Sequence, residues 1–185
     1  LDPRLIVFFL LCFVIFLDVS TNLALSWDGE KFWFQKVLNF YHNFSIENLK
    51  NVANPWYPYL GSLIWSFFWK FSILDYEYFG RLFFAFFFVL SIFLLSDNLN
   101  LSIIYKSIFS LLFVLLTYEY FFDMFYGDKD VLIFSLIAIT MHIFYKLSNN
   151  LNKNKNLYII LISLIINSLM WIKQEGMISA LFILF

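Results

Sequence analysis

The sequence predicts an all-α fold, a polytopic transmembrane helical bundle with amphipathic juxtamembrane helices in its first outer loop. Three observations carry this expectation. The chain of 185 residues is 62% hydrophobic and only 14% charged, whereas a soluble domain is about half apolar and about a quarter charged. Its 27 Phe exceed what one soluble core of this size would hold, a surplus that makes sense when the surrounding solvent is lipid. Apolar runs also recur at the length of about 20 residues needed to cross about 30 Å of hydrocarbon.

Those runs place spans at about 5–25, 79–95, 101–122, 131–147 and 157–172, with a partial sixth at 177–185. Together they form one transmembrane domain over 1–185. The chain has no initiator Met and stops inside an apolar run, so it reads as one piece of a longer protein. No small-residue cleavage site follows the first apolar stretch, which argues against a signal peptide. Cys12 is the only cysteine, which excludes an internal disulfide and a thiol metal cluster. With a net charge of −1, the chain has no basic field for nucleic acid.

The segment 57–73 differs from the other apolar runs. It follows Pro55, contains Pro58, Gly61 and Lys70, and has Trp65 and Trp69 within it and Trp56 just ahead. Trp and Tyr gather at the headgroup level of membranes, so this segment is expected to lie at the interface rather than cross. Arg4 and the Lys-rich loop around Lys146, Lys153 and Lys155 then share the cytoplasmic side, as short basic loops do. Ten of the thirteen acids fall on the other, outer side.

The first outer loop, 26–73, contains a helical stripe of Phe32, Phe34, Val37, Leu38, Phe40, Tyr41 and Phe44, with Lys31, Gln35, Lys36 and Asn39 elsewhere on the wheel. Such a helix lies in the membrane plane. Asp28 precedes it and can serve as its N-cap. The second outer loop gathers Glu119, Asp123, Asp128 and Asp130 within twelve residues. Gly127 allows a turn that brings Asp128 and Asp130 together. Carboxylates this near a bilayer pair with a base, bind a cation or face water, and hard cations such as Mg²⁺ or Ca²⁺ prefer oxygen ligands. The plain alternative is a solvated loop with helix caps. Arg81 opens a span, where it can snorkel or clamp a phosphate. Lys173 and Glu175 interrupt an apolar run in WIKQEGM, as a charged turn between two spans would. His42 and His142 lack partners at metal-ligand spacing and receive no role.

Taken in order, WDGEKFWFQK, NPWYPYLGSLIWSFFWKFSILDYEYFGRLFFAFF, YGDKDVLIFSLIAI and WIKQEG resemble the membrane glycosyltransferases of the GT-C superfamily, especially the protein O-mannosyltransferase-like and aminoarabinose-transferase-like group. The resemblance covers nearly the whole chain. It departs from the group in the first loop, where Asp28-Gly29-Glu30 stands in place of an Asp-Glu pair. The resemblance implies a multi-pass protein of a bacterial-type inner membrane that moves a sugar from a polyprenyl-phosphate donor to an acceptor at the outer face. By that likeness Asp28 is the general base and Arg81 the first candidate for the donor phosphate. Lys173 is a second candidate, and Asp130, Asp128 and Glu30 are further substrate contacts, with a divalent cation as an open option. The alternatives from other classes are a transporter or flippase-like protein, whose polar residues would line a path through the midplane, and a non-catalytic membrane subunit.

Overall fold

The computed structural model describes residues 3–149 and 155–184. The centre of the Asn/Lys loop with Lys153, the acid Asp2 and the last residue of the partial sixth span lie outside the described residues. Every regular element among the described residues is helical. The helices are α1 (Pro3–Thr21), α2 (Gln35–Tyr41), α3 (Leu60–Lys70), α4 (Tyr78–Ser96), α5 (Ile103–Tyr120), α6 (Asp130–Asn149), α7 (Lys155–Ile172) and α8 (Gln174–Leu184). A π-helical stretch, Gly29–Phe34, runs directly into α2, and short 3₁₀ turns occupy Ile46–Asn51 and Phe122–Phe125.

Five of these helices, α1, α4, α5, α6 and α7, are long and apolar enough to cross a membrane. At 1.5 Å per residue they reach about 27–30 Å. The helix within 57–73 is only 11 residues long, about 16 Å, and falls well short. α4 is the centre of the bundle, packed against α1, α3, α5 and α6. Phe84, Ala85, Phe88, Val89 and Ile92 line its buried faces, while α5 and α7 keep most of their apolar surface outward.

Ion pairs and hydrogen bonds fix which helix ends meet. Arg4 at the start of α1 bonds Asp97 beyond the end of α4 at 2.5 Å, together with the carbonyl of Phe93 and the hydroxyl of Ser96. At the opposite end of α1, Asp18 accepts the Tyr126 hydroxyl at 2.6 Å. Lys173, after α7, bonds Asp130 at the start of α6. The long 22–77 connector, the 121–129 connector and the α7–α8 junction therefore share one end of the bundle.

Two sequence expectations change. Lys36 and Asn39, assigned to the polar side of the first-loop helix, are buried with Trp33, Val37 and Phe40. The reason is local satisfaction: the Lys36 ammonium donates to the carbonyls of Asn54 and Tyr57, both at 2.8 Å, and Asn39 donates to the Ser45 carbonyl. A buried polar group is tolerated when so bonded. Trp65 and Trp69 are likewise core residues, 0% and 9% exposed, rather than headgroup anchors. Trp56, 71% exposed, keeps the expected outward position.

Trp65 reaches the core because Gly80 leaves room. A Cβ at Gly80 would sit 2.2 Å from Trp65 Cδ1 and 2.3 Å from its carbonyl oxygen, so α3 and α4 touch backbone to backbone. Gly80→Ala is expected to cost about 1–3 kcal/mol or more through overpacking, read as a lower thermal midpoint of the purified chain. An unchanged midpoint would mean that the α3–α4 contact is loose.

Candidate functional site

The shared end of the bundle is assembled by the contact of its two connectors. Gly127 adopts φ +102°, a left-handed conformation open to glycine, and turns the second connector toward the first. Ser26 donates its backbone N–H to the Tyr126 carbonyl at 2.7 Å. A Cβ at Gly29 would lie 2.8 Å from that same carbonyl oxygen and 3.3 Å from Gly127. Glycine is thus required where the two loops cross, and Asp28 is held beside that crossing.

Asp28 is not the helix cap. The Ser26 hydroxyl accepts the Gly29 N–H at 3.0 Å and its carbonyl accepts the Glu30 N–H, so Ser26 performs that task and Asp28 makes no side-chain cap bond. The freed Asp28 carboxyl, half-buried, lines a cleft of about 110 Å³ with Phe32, Trp33, Tyr57, Lys173, Gln174 and Glu175. Burial raises its pKa from the ordinary aspartate value. The charges of Asp128 and Glu175 add to the rise, and Lys173 opposes it.

Lys173 is the cation at this cleft. Its Nζ lies 2.8 Å from Asp130 Oδ1 and 3.6 Å from Asp128 Oδ1. Burial pulls its pKa down, but the Asp130 hydrogen bond and the charges of Asp128, Asp130 and Glu175 outweigh that and hold the ammonium above its usual value. Asp128 also accepts the N–H groups of Lys129 and Asp130, so it caps the start of α6 while facing Lys173. Among the described residues no three His, Cys, Asp or Glu are grouped to hold a metal ion. The carboxylates are arranged around the Lys173 ammonium instead.

Arg81 lies in a separate pair. It is fully buried, with Nε and Nη2 donating to the two oxygens of Glu77 at 3.1 and 3.0 Å and Nη1 to the Asn22 carbonyl at 3.4 Å. Glu30 points outward and bonds its neighbour Lys31. The structure therefore brings Asp28, Asp128, Asp130 and Lys173 together and leaves Arg81 and Glu30 apart from them.

Sequence reasoning missed the cleft's walls, Phe32, Trp33, Tyr57 and Gln174, and it missed Lys129. The only sequence signal for Gln174 is its place in the WIKQEG turn. Lys129 is completely buried, its Nζ 4.1 Å from the Trp65 ring centre and 4.6 Å from that of Phe84, with no hydrogen-bond partner. Burial drives its pKa well below the ordinary lysine value. Written between two aspartates, it has the sequence appearance of a solvated loop residue.

The fold and this site define an all-helical protein with five membrane-length helices and a polar cleft at one end of the bundle. Comparison with known protein families, with curated proteins and with solved structures finds no match.

Burial lowers the Lys36 pKa to about 8, against an unfolded value of about 10.4. Between those values the unfolded chain binds more protons, so Lys36 makes stability rise with pH there, by at most about 1.4 kcal/mol per pH unit. Lys36→Met is expected to remove that rise. Unfolding midpoints measured from pH 7.5 to 10.5 with an unchanged slope would show that Lys36 titrates normally.

Proposed function

We propose that this protein is a glycosyltransferase that moves a sugar from a polyprenyl-phosphate donor to an acceptor at one face of a bacterial-type inner membrane. The observation that supports it best is the state of Asp28: relieved of cap duty, half-buried, raised in pKa and facing a cleft beside Lys173. A carboxylate whose pKa is raised is a stronger general base than a fully solvated one.

In this reading Asp28 takes the proton of an acceptor hydroxyl or amine as that atom bonds the anomeric carbon. The bond from the anomeric carbon to the phosphate oxygen breaks at the same centre, and the lipid phosphate departs with the electron pair. Charge develops on that phosphate, and a nearby cation stabilises the transition state. Lys173 is the cation that lines the cleft, so this role falls to it ahead of Arg81, whose fork is filled by Glu77. Asp130 and Asp128 orient the ammonium. The face that carries the cleft is the outer one by the placement of the basic loops.

The transporter reading draws less support. Of the buried hydroxyls within the spans, Ser91, Ser135 and Thr140 bond carbonyls of their own helices and Ser110 makes no hydrogen bond, whereas a permeation path needs polar groups turned toward one another across the bundle.

Asp28→Asn is expected to lower transfer from a labelled polyprenyl-phosphate sugar by about 10²- to 10⁴-fold, with unchanged expression and thermal midpoint; normal turnover would remove Asp28 as the base. The acid limb of the pH–rate profile should report the raised Asp28 pKa, with activity lost as pH falls through it. Glu175→Gln removes one of the charges that raise that pKa, so the limb should move to lower pH. A limb that stays in place would assign it to another group.

A further inference from the structure

The helix α3 is inside out by the standard of a soluble protein. Its protein-facing side is Gly61, Ser62, Trp65, Ser66 and Trp69. Its exposed side is largely apolar: Leu63, Phe67 and Phe71 are 40%, 54% and 64% exposed, the turn beyond adds Ile73 at 97% and Leu74 at 68%, and the exposed Lys70 at the helix end is the charge on that side. The positions 63, 67 and 71 follow helical spacing and form one stripe, with Ile73 and Leu74 in the turn after the helix ends. A contiguous apolar stripe of this kind marks a buried contact.

The polar groups of the same segment have partners of their own. Lys70 donates to the Asn43 side chain, Tyr41 donates to Asp75, and the Ser62 hydroxyl donates to the Trp33 carbonyl. Asp75, at φ +59°, reverses the chain into α4.

The depth of α3 follows from its neighbours. Phe68 stacks on Phe83 with ring centres 4.0 Å apart, and Trp65 meets Phe84 at 6.1 Å. Both partners lie in the second turn of α4, which begins at Tyr78. On its other flank Leu63 shares a lateral cavity with Leu164 and Asn167 of α7. Those residues come five to eight positions before the helix end at Ile172, roughly 8–12 Å along the axis. A helix lying on the headgroups would meet its neighbours only at their ends.

We propose that α3 is sunk into one leaflet, with its Leu63–Phe67–Phe71 stripe in contact with acyl chains and Lys70 reaching toward the headgroups, so that the bilayer is the partner of this face. The proposal goes beyond the enzymatic reading and does not depend on it. It makes α3 a half-embedded support that holds the cleft walls Trp33 and Tyr57 against the membrane surface.

The test uses site-directed nitroxide labels in the full chain, reconstituted in vesicles of phosphatidylcholine and phosphatidylglycerol. Cys12, the only cysteine, is first replaced by Ala. Single cysteines are then placed at Phe67, Phe71 and Ile73, with Leu112 of α5 as the hydrocarbon reference and the exposed Glu47 as the aqueous one. Collision rates are read with oxygen, which partitions into lipid, and with a water-soluble nickel chelate. The expected result is an oxygen-dominated ratio at positions 67 and 71 like that at 112, with position 73 between the references. A nickel-dominated ratio at 67 and 71, as at 47, would overturn the proposal. So would slow collisions with both reagents, because the stripe would then be covered by protein, whether a second copy or another segment of this chain.

Discussion

The packing of Trp65 sets the geometry of the rest. Its ring is enclosed by Gly80 of α4, Gly127 of the second connector, Phe84 and the Lys129 side chain, and its indole N–H donates to the Glu77 carbonyl at 3.4 Å. A large flat side chain meets glycine on two separate elements, so both backbones close on it without a void. From Gly127 the contact passes to Gly29 of the first connector, and Asp28 is the adjacent residue. The position of the candidate base is therefore a consequence of how one tryptophan fills the junction of α3, α4 and α6.

The charges at this end divide by how each is neutralised. Lys173 sits among carboxylates, Arg81 is held in the fork of Glu77, and Lys36 is held by two carbonyls. A buried charge is costly unless paired and hydrogen-bonded, and these three meet the requirement in different ways. Lys129 does not: its amine sits against ring faces and makes no hydrogen bond, and burial favours its neutral form against the opposing charges of Asp128 and Glu77. Lys173 with its carboxylates lines the cleft beside Asp28, while the Lys129 stem packs against Gly61 and fills core space.

The bundle was largely legible because lipid-facing helices are long, apolar and interrupted by short polar connectors. The expected bounds 79–95 and 131–147 became Tyr78–Ser96 and Asp130–Asn149. The meeting of Asp128 and Asp130 was legible too, since Gly127 marks the turn just ahead of them. Less legible was the first connector. Lysine is ordinarily a marker of the solvent face, and nothing local announces that Asn54 and Tyr57, 18 and 21 residues away, will supply carbonyls to Lys36. The same limit applies to Asp28: Ser26 and Asp28 are both good helix caps by type, and only the observed hydrogen bonds assign the task to Ser26.

By itself the sequence determined that the chain carries helices long and apolar enough to cross a membrane, because this follows from composition and from runs of neighbouring residues. It also determined that acidic groups crowd the connectors. The tertiary structure alone decided which cation those acids surround, which tryptophans are core, and which face of α3 is left exposed. Those outcomes depend on contacts between residues far apart in the chain, such as Asp130 with Lys173 and Trp65 with Gly80 and Gly127, which local pattern does not encode.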